Sequence, residues 1–596
     1  MATLAADKES PLSDFTMNRD VIGLSLLALV IGAIGALVAY ILVLLINLVT
    51  NLAYYQRFSV TSVTPAGNHL GLWAIVVPVI GGLIVGVMAR YGSPKIRGHG
   101  IPEALEAILI SGSRIEPRVA LLKPISSAVS IGTGGPFGAE GPIIMTGGAI
   151  GSLVARFFRL TSIERRILLS AGAAAGMAAI FGAPVAAVLL AIELLLFEWK
   201  PRSFIPVAVA SVTAGALRVY LLGPGPVFAA PPHAPLAPGA LVSALGLGLI
   251  CGVLSAILTW LVYAFDDLFD KLPVHWMWWP AIGGLVVGIG GLIDPRVLGV
   301  GYDLIHSLLQ GNLVGGVVLG LLVTKALVWS LSLGSGTSGG VLAPLLIIGG
   351  ALGAFLSPWI PFGNAGLWAM VGMTATMGGT MRSPFAATIF ALEVTHDLNV
   401  LPALLVGSLA AEAVTVLWLR RSILTEKVAR RGHHLAYEYG VDPLDTVRVG
   451  DVMDRNAVTI PASMTVAELA SAIGRGDSPL ARRQGTPIID ASGQLCGIIT
   501  RGDLLQALDK PDGPDQTVLE AGARELILAY PDETLRTAVE RMLRRGVGRL
   551  LVVSREDPRR LAGYLGRTGV MEGRQRQMQD EDLREQSWPL WRGVRN

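Results

Sequence analysis

Long apolar runs dominate the first two thirds of the chain and predict most of its architecture. They cover 21–50, 72–89, 167–192, 240–264, 279–293, 314–333, 340–357 and 398–419. Several reach the ~18–20 apolar residues that a helix needs to cross a bilayer. Others are shorter and broken by Gly and Pro, as in transport proteins whose half-helices meet inside the membrane. After about Leu419 the pattern changes to short amphipathic segments. There, "TVAELASAI" and "TLRTAVERML" read as helices, each preceding a strand-rich run, "GTPIIDASGQLCGIIT" or "VGRLLVVSREDPRRLAGYLG". The predicted fold is a polytopic α-helical membrane protein followed by a twice-repeated α/β tail.

The apolar part is itself repeated. "FGAPVAAVLLAIELL" at 181–195 aligns without a gap on "MRSPFAATIFALEVT" at 381–395, Pro184 falling on Pro384 and Glu193 on Glu393. "GTGGPFGAEGP" at 132–142 is echoed by "GSGTSGGVLAP" at 334–344, with Pro142 on Pro344. Each half thus carries a glycine-rich break and, some way on, an X-Pro segment ending in Glu. Paired interruptions in corresponding places of two halves are the best sequence pointer to a transport site.

Composition agrees with this and narrows the chemistry. The 596 residues are 52% hydrophobic and 15% charged, against about 25% charged in soluble domains. Between Val21 and Ala89 the one formally charged side chain is Arg57. The net charge of +3 carries no information in a chain this size, and nothing points to nucleic acid. The first 20 residues are polar and acidic and do not read as a signal peptide. Cys251 and Cys496 are too far apart for a disulfide framework or a cysteine metal site. Arg420, Arg421, Lys427, Arg430 and Arg431 flank the last apolar run, which by the positive-inside rule places the tail, and with it both termini, in the cytoplasm of a cell with this protein in its inner membrane. No P-loop, metal-ligand spacing or readable catalytic grouping occurs, so the chain is not expected to be an enzyme or to need a cofactor. "GSGTSG" at 334–339 fits a dinucleotide fingerprint in letters alone, because it follows a long apolar run and no acid appears before Glu393.

Glu140 is the residue that most needs a reason. A helix starting at Pro142 would offer unpaired amides and a positive dipole end, and the flanking glycines would let an anion reach the backbone. Second and third starts of this kind are predicted near Val341 and Leu342 and at "RGHGIPEAL", 97–105. A carboxylate beside such a dehydrated anion site is a tethered competitor for it, hence a gate. Ionisable groups inside a membrane are functional by default. Glu193 and Glu393 are read instead as structural carboxylates at helix ends. Lys123 has two readings, a snorkelling side chain or a charge acting in the pore. His99 also has two, a hydrogen-bonded loop histidine or a functional one acting as anion contact or pH sensor.

"GHGIPE", "GTGGPFGAEGP", "GSGTSGGVLAP" and "RSPFAATIFALEVT" resemble, in order and spacing, the signatures of the CLC chloride channels and proton–chloride exchangers. The resemblance covers about 20–430. It implies a homodimer of inverted-repeat subunits, a chloride pathway in each, and lipid as the surrounding partner. It implies Glu140 as the gating residue. It implies anion binding by His99, Gly100, Ile101, Gly138, Ala139, Val341 and Leu342, and pore electrostatics from Lys123. Three positions depart. The proton-relaying glutamate of coupled members would follow Glu193, where Leu194 stands; the inner-gate tyrosine is matched by Leu424; and His99 replaces a serine. Leu194 and Leu424 favour passive, channel-like conduction gated by Glu140, the alternative being a proton-coupled antiporter, and His99 leaves the preferred anion and the pH response open. The tail resembles a pair of CBS domains, with Thr500 and Asp503 matching an adenine-nucleotide element. A membrane-anchored nucleotide sensor is the rival of another class. The expected organisation is an N-terminal segment 1–20, a membrane domain 21–420 with repeats about 21–222 and 223–420, a linker 421–446, CBS domains 447–510 and 511–575, and a tail 576–596.

Overall fold

The computed structural model describes residues 20–313, 315–431, 444, 447–475 and 479–582, so the predicted N-terminal segment, most of the linker and the end of the tail lie outside it. Two compact units divide near residue 440.

In chain order, the membrane unit contains α1 (Asp20–Tyr55), α2 (Val76–Tyr91), α3 (Ile101–Leu109), α4 (Pro117–Gly132), α5 (Glu140–Ala155), α6 (Ser162–Phe181), α7 (Pro184–Ala191) and α8 (Pro201–Leu222). The second half follows as α9 (Pro238–Asp270), α10 (Trp279–Ile293), α11 (Tyr302–Leu309), α12 (Gly316–Gly334), α13 (Leu342–Leu356), α14 (Ala365–Met381), α15 (Pro384–Thr395), α16 (Leu401–Trp418) and α17 (Ile423–Arg430). Eight helical segments among the described residues are long and apolar enough to span a bilayer.

Three sequence expectations change. The run 167–192 is two helices: Gly182 turns left-handed (φ 64°) and Pro184, which lacks an N–H, opens α7. Pro201–Leu222 spans although it is missing from the apolar runs, because Arg202, Ser203 and Arg218 interrupt it while its mean hydropathy stays at 1.7. The helix expected from Pro142 starts two residues earlier, which places Glu140 at its first position.

The halves pack alike. α1 lies on α6 and α8, as α9 lies on α14 and α16, and α5 packs on α6 as α13 does on α14. Nearly all of α6 from Ile167 onward and all of α14 from Gly366 onward are buried, which makes these two helices the core. Gly147 meets Gly172 and Gly349 meets Gly372 at matching backbone crossings, since small residues bring helices close where lipid supplies no hydrophobic drive.

The spacing of proline and glutamate repeated in the two halves also has a mechanical result. Oε1 and Oε2 of Glu393 accept from the amides of Val185 and Ala186, at 2.9 and 2.7 Å, in the first turn of α7. Glu193 accepts from the amide of Ala386, at 3.2 Å, in the first turn of α15. Each half caps the proline-led helix of the other, satisfying amides that water would otherwise need to reach. The structural reading of both glutamates agrees with this geometry.

The tail contains α18 (Val449–Val452), β1 (Ile460–Pro461), α19 (Val466–Gly474), β2 (Gly485–Ile489), β3 (Leu495–Thr500), α20 (Arg501–Leu508), α21 (Val518–Ala521), β4 (Leu528–Ala529), α22 (Leu535–Arg545), β5 (Arg549–Val553), β6 (Leu561–Gly566) and α23 (Arg567–Asp582). In each repeat the middle strand is parallel to the first and antiparallel to the third. The leading turns are exchanged. Val449 and Val452 pack with Leu535, Leu550 and Leu565 of the second repeat, whereas Val518 packs with Ile460, Val466 and Ile488 of the first.

Replacing Glu393 by Ala leaves two amides of α7 uncapped. We expect a loss of about 1–2 kcal/mol, read as a lower unfolding midpoint of the detergent-solubilised protein, with Glu393→Gln losing less.

Candidate functional site

Three glycine-bearing loops meet between the halves. Gly98 bridges to the second motif, its amide donating to Thr337 O at 2.8 Å. Gly138 and Gly340 exchange both backbone hydrogen bonds, at 3.2 and 2.8 Å. The two motifs that echo each other in sequence therefore touch in space. The N-caps of α3, α5 and α13 (Gly100, Ala139 and Val341) are carried on these loops.

The Glu140 carboxylate is completely buried and leaves its own helix for the start of another. Its Oε1 accepts from the amide of Leu342 and, at 3.3 Å, from that of Ala343, the first two residues of α13. Those amides have no intrahelical partner, and the α13 dipole adds positive potential. Oε2 has no hydrogen-bond partner. No ion pair to Glu140 occurs among the described residues. Of the two amides expected to hold an anion, Val341 and Leu342, Leu342 meets Glu140; Val341 is the buried N-cap, and Ala343 is the second donor to the carboxylate. The role of the glycines is close approach: a Cβ on Gly138 or on Gly340 would strike the Glu140 carboxylate.

Behind this centre, Lys123 is fully buried and its ammonium donates to the carbonyls of Ile96 and Gly98, at 2.8 and 2.7 Å. It holds the loop that carries His99 and does not reach an interface, so the snorkelling reading is set aside. Lys325 does the same in the second half, donating to Val297 O at 2.8 Å and Gly299 O at 3.4 Å. Gly100 and Gly301, with φ of 91° and 77°, open α3 and α11 at matching places. This third repeated feature escaped the sequence reading, although the Gly-x-Gly pairs at 98–100 and 299–301 precede the two lysines by nearly equal intervals.

The α3 end is already occupied in part. The Gly100 amide donates to Glu103 Oε2 at 2.9 Å, and Glu103 Oε1 pairs with Lys427 at 2.7 Å. Ile101 is buried as the first residue of α3. His99 is 3% exposed, with Nδ1 unpartnered and with Glu103, Lys123 and Lys427 within electrostatic reach. Leu194 is fully buried in a π-helical turn, Ile192–Leu196, and Leu424 is fully buried in α17. The nearby Tyr263 hydroxyl donates to Ile423 O at 2.6 Å, which fixes α17 and leaves that phenol no free proton for an anion.

In the tail, Asp503 caps α20: Oδ2 accepts from the Thr500 amide at 2.8 Å and its hydroxyl at 2.7 Å. A cleft of about 1150 Å³ instead opens between the two repeats, lined by Asp454 and Arg483 of the first and by Arg549, Tyr564, Arg567 and Glu572 of the second, without Thr500 or Asp503. Burial, the larger influence, raises the Tyr564 phenol above its usual range, against the lowering effect of Arg549 and Arg483. One guanidinium nitrogen of Arg549, Nη1, is buried and unpartnered.

The sequence profile described as Voltage gated chloride channel matches residues 80–416, and that of the CBS domain matches 449–510 and 520–575. The voltage-gated ClC-type chloride channel ClcB of Salmonella typhimurium is 30% identical over 366 residues, covering 59% of this chain and 87% of the relative. The H(+)/Cl(-) exchange transporter ClcA of Salmonella arizonae is 29% identical over 386 residues, covering 60% and 80%. In fold, the chain is similar to a slow cyanobacterial Cl-/H+ antiporter, with a TM-score of 0.60, 24% identity, and coverage of 70% of this chain and 98% of that one.

Alanine at Gly340 would place Cβ 2.5 Å from Glu140 Oε1. Gly340→Ala is expected to push the carboxylate off α13 and raise anion flux at neutral pH in proteoliposomes; unchanged flux from folded protein would contradict the placement.

Proposed function

The chain belongs to the voltage-gated chloride channel family, with a CBS pair at its C-terminal end, and on that premise we propose that this multi-pass membrane protein conducts chloride passively, with Glu140 as the gate. One observation carries the choice of conduction over exchange. The position after Glu193 is a buried leucine, Leu194, and the neighbouring Glu193 carboxylate is engaged at the start of α15. A leucine has no exchangeable proton, and a carboxylate committed to a helix cap is a poor relay. Leu424 removes the matching hydroxyl on α17.

Gating follows from competition. A dehydrated anion is stabilised by the Leu342 and Ala343 amides on the same terms as a carboxylate, so chloride and Glu140 exclude each other there. Protonating Glu140, or displacing it with an anion, vacates the place. His99, Gly100, Ile101, Gly138 and Ala139 form the surrounding backbone of the pathway, and Lys123 holds the His99 loop from behind. A proton-coupled antiporter is the second reading, favoured by the exchanger name of one relative and by the unpartnered His99 Nδ1.

The assembly in this reading is a homodimer with a pathway in each subunit and both termini in the cytoplasm. Val185 and Phe385, exposed at matching positions of α7 and α15, offer an apolar face for the second subunit. The basic cluster from Arg420 to Arg431 supports the orientation. The tail regulates conduction by binding an adenine nucleotide. Its phosphates suit the arginines of the cleft rather than Asp503, which is spent on α20.

With a chloride gradient imposed across liposomes and no proton gradient, we expect chloride flux with no uphill proton movement. Sustained chloride-driven proton transport overturns passive conduction. Glu140→Gln is expected to give open, pH-independent flux, and a folded but inactive variant would make Glu140 structural. Calorimetry on the full-length protein with ATP should show Arg549→Ala weakening binding about tenfold, as expected for losing a charge-assisted hydrogen bond, and Asp503→Asn changing it little.

A further inference from the structure

The open gate needs somewhere to put an ionised carboxylate, and the structure holds one unused hydroxyl near it. Tyr302 is the first residue of α11, placed by the left-handed turn at Gly301. Its side chain is half-buried, but its hydroxyl oxygen is sealed from solvent and has no hydrogen-bond partner. A buried hydroxyl left unpaired costs free energy unless it serves another state of the protein. The ring is held edge-on by Phe228 at 5.4 Å and by Phe181 at 6.1 Å, and Phe181 is packed in turn by Phe390 at 4.9 Å. The hydroxyl is therefore fixed in position while having nothing to bond.

Glu140 supplies the complementary group. Its Oε2 is the matching orphan, buried and without a donor, and its carboxylate lies within electrostatic reach of Tyr302. A cavity of about 280 Å³ is lined by Tyr302, Gly301 and Ala139, the residue immediately before Glu140. That volume exceeds the roughly 30 Å³ that one water occupies in the liquid, so the backbone just before Glu140 and the start of α11 border space into which a side chain can turn. The charged groups around Tyr302 are few. Arg218 on α8 lies within its electrostatic reach, with Nε buried and unpartnered and one bond to Gly223 O at 3.0 Å. Asp303 follows it on α11, and Lys325 on α12 is held by the Val297 and Gly299 carbonyls.

We propose that Tyr302 is the positioning residue of the open gate: its hydroxyl donates to the ionised Glu140 carboxylate once that carboxylate has left the amides of α13. Arg218 makes the neighbourhood electropositive and favours the ionised form there. The gate then has two resting places, backbone amides when closed and a phenol hydroxyl when open. Opening no longer depends on protonation alone, because the displaced carboxylate is hydrogen-bonded in either place. This deepens the gating role of Glu140 and rests on it.

The test compares chloride flux across a pH range in proteoliposomes for wild type, Tyr302→Phe, Glu140→Gln and the double variant. Phenylalanine keeps the ring packing and removes only the hydroxyl. Loss of a hydrogen bond to a charged group predicts roughly tenfold lower flux at about pH 8, where the carboxylate is ionised, and unchanged flux at about pH 4.5, where it can protonate. In the Glu140→Gln background, Tyr302→Phe should have no effect at either pH. An unaltered pH profile for Tyr302→Phe overturns the proposal, as does an equal loss in the Glu140→Gln background, which would place the hydroxyl's role elsewhere. Failure of the gate itself looks different: Glu140→Gln would then retain the wild-type pH dependence, whatever Tyr302→Phe does. Should Tyr302→Phe unfold, Arg218→Gln provides the second measurement, with the same alkaline loss expected and its absence counting against the open position.

Discussion

The membrane unit answers to one electrostatic constraint: a carboxylate is buried with no ion pair among the described residues. In a low-dielectric interior such a group is tolerable only where fixed dipoles replace water. Glu140 meets that condition on the first amides of α13, and the architecture serves to bring those amides to it. The halves present their glycine-rich breaks to each other so that α5 and α13 start at one point. Gly138 and Gly340 lack side chains because the carboxylate occupies that space. The buried ammonium of Lys123 anchors the adjoining loop through the carbonyls of Ile96 and Gly98 and is not paired with Glu140. A site that holds an anion by backbone alone binds it without the deep well that a cation would create, and so can also release it.

Much of this was legible from the chain. Hydropathy located most of the spans, Pro201–Leu222 excepted, because a helix in lipid needs a long apolar run, and the paired motifs located the centre, because glycines and an isolated acid are costly in such a setting. What escaped has physical reasons. The break at Gly182 is invisible to hydropathy, since both flanking helices are apolar. Ala343 as a second donor to Glu140 went unseen because a helix start is fixed by cap geometry that apolar residues do not announce. The cross-caps of Glu193 and Glu393 join residues some two hundred positions apart, and such a partner is set by how the halves pack. Tyr302 passed unremarked because a tyrosine beside a glycine turn looks like packing until its hydroxyl is seen to lack a partner.

The tail shows the same limit on local reading. Its helices and strands were legible from amphipathic and alternating patterns, yet the leading turns pack into each other's repeat. The sequence element matching a ribose contact, Thr500 and Asp503, closes on itself as a capping box, and the cleft that carries arginines opens elsewhere, between the two repeats. Carboxylates three residues into a helix have two uses, and only the fold decides between ligand and cap.

The reciprocal caps between α7 and α15 carry a consequence for how such a chain could have arisen. A single half, on its own, would have a proline-led helix with bare amides and a glutamate with nothing to cap. Two identical halves set antiparallel would each complete the other. A primordial half-length protein could thus have been stable in a bilayer as a pair of separate chains, before any duplication joined them end to end.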